Sequence, residues 1–218
     1  MPPVFSRGGA HRLILDKPLH SVVTNICNEW RNCVKAVILL VFSLKNNDGR
    51  RHGPMKEIFH RTSIRHFTSE EVEEEAVLQL LRGAMAAPSA GNQQPWEFYA
   101  ITDRNVLRKL AGCSPYAHCL AEAPLGIAIC YRKNCAIPAY AEIDCSAATE
   151  NLLLEADSLG LGAVWLGIAP IKERMEAVGK VLSLPDSLSV FALVACGHPA
   201  EFKSQEDRFD RTRIHWVK

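Results

Sequence analysis

Behind Met55 the chain alternates apolar stretches with polar breaks, and each stretch has a period that names its element. Val72, Ala76, Val77, Leu80, Leu81, Ala84 and Met85 recur at helical spacing and predict an amphipathic helix up to Ala87, which Pro88 ends because proline cannot continue the hydrogen-bond ladder. Thr68-Ser-Glu-Glu71, just ahead, has the form of a capping box for that helix. Met55 to Phe59 reads as a short helix running into the polar turn Arg61-Thr-Ser-Ile-Arg65. Trp96 to Thr102 is aromatic and β-branched and predicts a strand, after which Asp103 is suited to cap a short helix through Leu110. Leu125 to Tyr131 predicts a second strand. Tyr140 to Leu159 predicts a long helix whose apolar positions, Ile143, Ala147 and Leu154 among them, exceed one stripe and call for burial on more than one side. Gly160-Leu-Gly162 closes it as glycines close helices. Ala163 to Ile168 is a third strand, Ile171 to Leu182 a helix and Leu188 to Cys196 a fourth strand, whereas Gly197 to Lys218 is charged and aperiodic. Helices and strands in mixed order, with short connections, predict an α+β sheet flanked by helices.

Charge divides the chain where this pattern begins. The 218 residues carry a formal net charge of +1, which removes any general electrostatic case for a nucleic-acid binder. Residues 1–54, however, hold eight Lys/Arg against three Asp/Glu, net +5, and residues 55–218 hold 17 against 21, net −4. The leader's longest apolar run, Ala36 to Phe42 with Leu44, is far short of the roughly 20 residues that span a bilayer as a helix. It lacks the layout of a secretory signal. Scarce acidic residues suit a transit peptide, but Pro2, Pro3, Pro18 and Gly8-Gly9 break helical periodicity. Residues 1–54 are expected to be an N-terminal extension, poorly structured or outside the core, or else to hold a short helix near Val34 to Leu44 packed on the body. Eight cysteines without a CxxC pair, and without a secretory signal, read as reduced, mostly buried thiols, and no metal site is expected.

Three polar clusters interrupt the pattern. Arg61-Thr62-Ser63-Ile-Arg65 sets two guanidinium groups and two hydroxyls within five residues beside a helix end, the chemistry of either an anion cradle or a solvated cationic turn. Pro88-Ser-Ala-Gly-Asn-Gln-Gln-Pro-Trp96 places the amides of Asn92, Gln93 and Gln94 between prolines, suited to the carbonyl and ring-nitrogen edge of a planar heterocycle. Gly160-Leu-Gly-Ala-Val-Trp-Leu-Gly167 joins a helix end to a strand. A C-cap accounts for Gly160 and Gly162 but not for Gly167 or for the placement of Trp165. His118, His198 and His215 have no companion acid at a suggestive spacing and are not expected to act in chemistry.

Together the RTSIRxF start, the PSAGNQQPW loop, Asp144 and Asn151 in the long helix, GLGAVWLGI and Gly197-His-Pro199 resemble the nitroreductase family of FMN-dependent oxidoreductases, from about Met55 to the C-terminus. The resemblance implies a mixed, largely antiparallel sheet and an intertwined homodimer with FMN at the subunit interface. It implies that Arg61, Thr62 and Ser63 bind the phosphate and ribityl side, that Arg65 faces the pyrimidine edge, and that Asn92 and Gln94 bond the isoalloxazine. Trp165, Leu166 and Gly167 would lie near flavin N5 and O4, and a basic residue of the tail, Arg208 in preference to Lys203 or Arg211, would complete the phosphate site. No protein nucleophile is implied. The resemblance implies that a hydride passes from NAD(P)H through flavin N5 to a nitroaromatic, quinone or similar flat acceptor in a ping-pong cycle, in the cytoplasm and without a membrane or nucleic-acid partner. The family also holds enzymes of dehalogenation, flavin fragmentation and azoline oxidation, and a non-catalytic flavin-binding protein is the alternative from another class.

Overall fold

The computed structural model describes residues 55–218, and the expectations for residues 1–54 lie outside the described residues. Strands β1 (Trp96–Ile101), β2 (Leu125–Arg132), β3 (Gly162–Gly167) and β4 (Leu188–Gly197) form one sheet in the order β1-β2-β4-β3, each neighbouring pair antiparallel. The parallel element is an isolated bridge from Ser63 to Ala163 at the outer edge of β3. Of the helices α1 (Lys56–His60), α2 (Glu74–Met85), α3 (Arg104–Ala111), α4 (Ala141–Ser158) and α5 (Lys172–Leu182), α2 and α4 cover one face of this sheet, α3 and α5 the other, and α1 packs on α4. Leu125, Ile127 and Ile129 of β2 pack with Leu80 of α2 and Leu152 of α4, whereas Ala128 and Cys130 pack with Leu107 of α3 and Val178 of α5. Both faces are thus buried, which is why the strands read as nearly continuous apolar runs. Among the described residues no helix is long and apolar enough to cross a membrane.

Local signals set most of the boundaries. The Asp103 carboxylate accepts from the N–H groups of Asn105 and Val106 at 2.8 and 2.9 Å and caps α3. At the end of α4, Gly160 takes φ +74°, its N–H donates to the Asp157 carbonyl at 3.0 Å, and Leu161 N–H donates to the Ala156 carbonyl at 2.8 Å. This is the paired C-terminal motif that glycine permits without a Cβ penalty. Gly162, in contrast, is a strand residue. A Cβ there would lie 2.6 Å from Ile64 Cγ2, so its role is to let the Ile64 segment lie against β3.

The capping box does not form. Helix α2 begins at Glu74, and the Thr68 hydroxyl instead accepts from Glu70 N–H at 3.3 Å, in a turn of its own. The cause is non-local: Phe67 bridges to Pro199 and Thr68 N–H donates to the His198 carbonyl at 2.9 Å, holding this stretch extended against the chain leaving β4. Helix α4 is covered by α1, α2 and the sheet, as its broad apolar surface requires, yet Ile143 remains 61% exposed. Asn151 Nδ2 donates to the Gly83 carbonyl at 3.2 Å and ties α4 to α2. Cys130, Cys145 and Cys196 are buried, and burial pushes their thiols up to about 12. Cys113, Cys119 and Cys135 are half-buried free thiols.

Candidate functional site

The site starts from the way Arg61 to Arg65 lies along β3. Ile64 N–H donates to the Ala163 carbonyl at 3.1 Å, and the parallel bridge between Ser63 and Ala163 carries both strands on in the same direction, to Arg65 and to Trp165. Glu201 clamps the segment from the tail: its Oε1 accepts from Lys203 Nζ at 2.9 Å, from Arg65 N–H at 2.6 Å and from His66 N–H at 3.2 Å. These bonds, Lys203 foremost, bring its carboxyl down to about 2. On β3 itself, Trp165 meets Phe191 edge-on, 5.5 Å between centroids at 66°. A bulge in β4 makes that contact: Ile129 pairs with Ala192 and Cys130 with Val190, so Phe191 is left over.

At this end of β3 opens a cavity of about 700 Å³, whose walls include Arg65, His66, Tyr116, Trp165, Gly167 and Arg174. Arg65 is exposed, with Nη1 donating to the Ser63 carbonyl at 3.4 Å. Trp165 is half-buried and Leu166 is buried, while Gly167 is exposed and has no heavy atom within 4 Å of where a Cβ would sit. Arg174 Nη1 donates to the Gly167 carbonyl at 3.2 Å, and its guanidinium lies 5.6 Å from the centre of the Tyr116 ring. Cys119 also lines the cavity; burial raises its thiol pKa, opposed by the charge of Arg65. Guanidinium groups beside flat aromatic walls and open backbone form a donor set suited to an anionic planar ligand.

The remaining candidates lie elsewhere. Arg61 and Thr62 line a smaller cavity of about 100 Å³ that also has Lys203 in its wall. Arg61 Nε is 3.5 Å from Glu150 Oε1, and the Thr62 hydroxyl donates to the Lys203 carbonyl at 3.3 Å. Arg208 is exposed and lines neither cavity. Asn92 and Gln94 are exposed at φ 55° and 45°, in the loop entering β1. That loop is built by Gln93 and the buried Asp144: Gln93 Nε2 donates to Asp144 Oδ2 at 2.6 Å and to the Ile137 carbonyl at 3.1 Å, and Ala90 N–H donates to Asp144 Oδ1 at 2.9 Å. Of the three consecutive amides, the middle one is therefore structural. Strands β1 and β3 are opposite edges of the sheet, three strand spacings or roughly 14 Å apart. The fold brings Arg65 together with Trp165, Leu166 and Gly167 but not with Asn92 or Gln94.

The model of the nitroreductase family matches residues 58–114 and 113–198, from within α1 through β4. This chain belongs to the nitroreductase family. It is 40% identical over 169 residues to a protein of Archaeoglobus fulgidus that bears the provisional name NADH dehydrogenase/NAD(P)H nitroreductase, covering 75% of this chain and 97% of that one. A crystal structure from Clostridium acetobutylicum, provisionally an NADH oxidase, superposes with a TM-score of 0.72 at 44% identity over 74% of this chain and 99% of that one. A provisional nitroreductase of Desulfovibrio desulfuricans, solved in complex with FMN, gives a TM-score of 0.67 at 32% identity over 77% and 98% of the two chains.

Against that family background, Tyr116, Arg174, His66, His118 and Glu201 are the site residues that carry no signal in the sequence of this nitroreductase-family protein. Tyr116 and His118 sit between α3 and β2, Arg174 in the first turn of α5 and Glu201 in the aperiodic tail. His118 lines the cavity together with Glu122, a companion acid only four residues further along the chain, while the fold brings His66 to them from the other side of α3 in sequence. The one available signal was Gly167, a strand glycine that no turn required.

Proposed function

We propose that this nitroreductase-family chain is an FMN-dependent oxidoreductase that passes two electrons, as a hydride, from NAD(P)H to a nitroaromatic, a quinone or a similar flat acceptor. One observation carries this: the guanidinium of Arg65, the ring of Trp165 and the open backbone at Gly167 face a single cavity of about 700 Å³. The A. fulgidus relative and the FMN-bound D. desulfuricans structure support the choice of donor and cofactor. FMN, when bound, supplies hydride-accepting chemistry that no side chain of the cavity possesses. The chain binds and orients: Arg65 would face the pyrimidine edge, where a fixed positive charge favours electron uptake, and Trp165 to Gly167 would line the reacting edge of the ring. Arg61, Thr62 and Ser63 would hold the phosphate side, with Lys203 joining them in the smaller cavity and Arg208 the other candidate from the tail. Overall, NAD(P)H and one proton convert a quinone to its hydroquinone, or a nitro group to a nitroso group and water.

Asn92 and Gln94 complete this site from a second copy of the chain. Loop and cavity occupy opposite edges of the sheet within one protomer, and the tail presents Phe202, Phe209 and Trp216 at 85%, 73% and 78% exposure, surface that a homodimer would cover. Free thiols throughout the described cysteines suit a reducing compartment, the cytoplasm. Residues 55–218 suffice for the reaction, so a chain begun at Met55 retains it. The test is anaerobic: NADH or NADPH bleaches the bound flavin, and benzoquinone or nitrobenzene restores its colour. Folded protein that takes up no flavin refutes the assignment, and a monomer in light scattering that still holds FMN refutes the shared site.

A further inference from the structure

We propose that Arg174 and Tyr116 form a recognition pair for an acidic substituent on the electron acceptor, so that the preferred acceptors are aromatic anions carrying a carboxylate or comparable group. The inference rests on the redox function proposed above and specifies its acceptor.

The charge lining the cavity points this way. Among the described residues its wall holds two guanidinium groups, Arg65 and Arg174, and two imidazoles, His66 and His118, against the single carboxylate of Glu122. Glu122 already faces a partner, with Oε2 3.9 Å from His66 Nδ1. Arg65 belongs with the cofactor side, next to Ser63 along the edge of β3. Arg174 stands on a different element, at the start of α5, and has no carboxylate within ion-pair distance among the described residues.

Geometry makes Arg174 a fixed receptor instead of a loose surface charge. One of its five N–H donors is spent on the Gly167 carbonyl at 3.2 Å, and no other described residue accepts from it. The guanidinium, planar by its own delocalisation, lies 5.6 Å from the Tyr116 ring centre, a contact that narrows the orientations open to its fork. Tyr116 is itself 71% exposed, a large aromatic surface at the mouth of a cavity with no described apolar partner that buries it. A flat acceptor would cover that ring while its acid meets the fork. Because Arg174 is anchored on Gly167, the same contact would keep the acceptor's ring beside the Trp165 to Gly167 stretch. A neutral acceptor of equal size loses the fork and keeps only the stacking.

The experiment uses the FMN-loaded full chain and two isosteric pairs. Benzoate and benzamide are titrated as non-reacting ligands, read by the change in flavin absorbance, and 4-nitrobenzoate and 4-nitrobenzamide are compared as acceptors by kcat/KM. The acid is expected to be preferred by about tenfold in both readouts, the lower end for a charge-assisted bond at a partly exposed site, with the preference shrinking at high salt. In Arg174→Gln the preference within each pair should vanish, while Arg174→Lys should retain part of it; using ratios within one variant removes any general loss of activity. A wild-type ratio at or below one, or a ratio insensitive to salt, overturns the proposal even if Arg174→Gln does not fold. A ratio kept in Arg174→Gln overturns it as well. Flavin that binds and bleaches normally alongside either result leaves the parent function standing, whereas absence of flavin uptake removes both.

Discussion

Replacing Gly162 by alanine tests how the Arg61 to Arg65 segment is held. The added Cβ would lie 2.6 Å from Ile64 Cγ2, 2.8 Å from Ile64 Cβ and 3.1 Å from Ile64 Cγ1. Carbon atoms rest at about 3.5–4.0 Å, so the shortest contact is short by roughly 1 Å. A rotamer change at Ile64 moves Cγ1 and Cγ2 but cannot move Cβ, which is fixed to the backbone. Relief therefore requires the segment to lift away from β3, stretching the 3.1 Å bond from Ile64 N–H to the Ala163 carbonyl. Overpacking of this kind costs about 1–3 kcal/mol, which shifts a urea midpoint down by roughly 1 M. The same displacement carries Arg65 and Ser63 with it, so FMN retention should fall too. Gly167→Ala is the matched comparison: its Cβ meets no heavy atom within 4 Å, but it protrudes where the cavity is. Gly167→Ala should keep its unfolding free energy within about 0.5 kcal/mol of the wild type and lose flavin affinity alone. Urea unfolding of the flavin-free protein at one fixed concentration, followed by flavin titration, separates the two. A Gly162→Ala midpoint equal to wild type would show that the close approach of Ile64 to β3 does not support the fold.

Glu201→Gln should be less stable than wild type at neutral pH. The folded carboxyl sits at about 2 against an ordinary 4.5, so its contribution is present above pH 4.5 and is lost as pH falls toward 2; the gap between the two proteins in urea midpoint should close over that window, and a constant gap would contradict the role given to Lys203, Arg65 and His66. Asp144→Asn sets an amide against two donors, Ala90 N–H and Gln93 Nε2, and should cost about 1–3 kcal/mol while speeding hydrogen exchange at Ala90. Exchange there as slow as in wild type would mean the loop into β1 is held by something else. Arg61→Ala should weaken FMN retention about tenfold or more if the guanidinium serves the phosphate, as a lost charge-assisted bond requires. Equilibrium dialysis showing unchanged affinity would leave Arg61 with its Glu150 ion pair as its whole role.

The elements were legible in the chain because their signals are local. Asp103 needed only the two N–H groups ahead of it, Gly160 only the carbonyls of the turn behind it, and the apolar period of α2 only its own residues. Thr68 failed as a cap for the opposite reason, since its partners are His198 and, through Phe67, Pro199, about 130 residues away. Gly162 looked like a helix ending and is a strand glycine opposite Ile64, a contact that no spacing announces. Sequence by itself determined the order of helices and strands and the family, and it named Arg65 and Trp165 to Gly167 as candidates, which the fold sets around one cavity. Tertiary structure alone decided which of the candidates meet. The sheet order β1-β2-β4-β3 puts the Asn92 loop and the Gly167 strand on opposite edges, and the antiparallel return of β4 delivers Glu201 to the backbone of Arg65. Strand order and edge contacts depend on free energy summed over the whole sheet, and no window of neighbouring residues contains that sum.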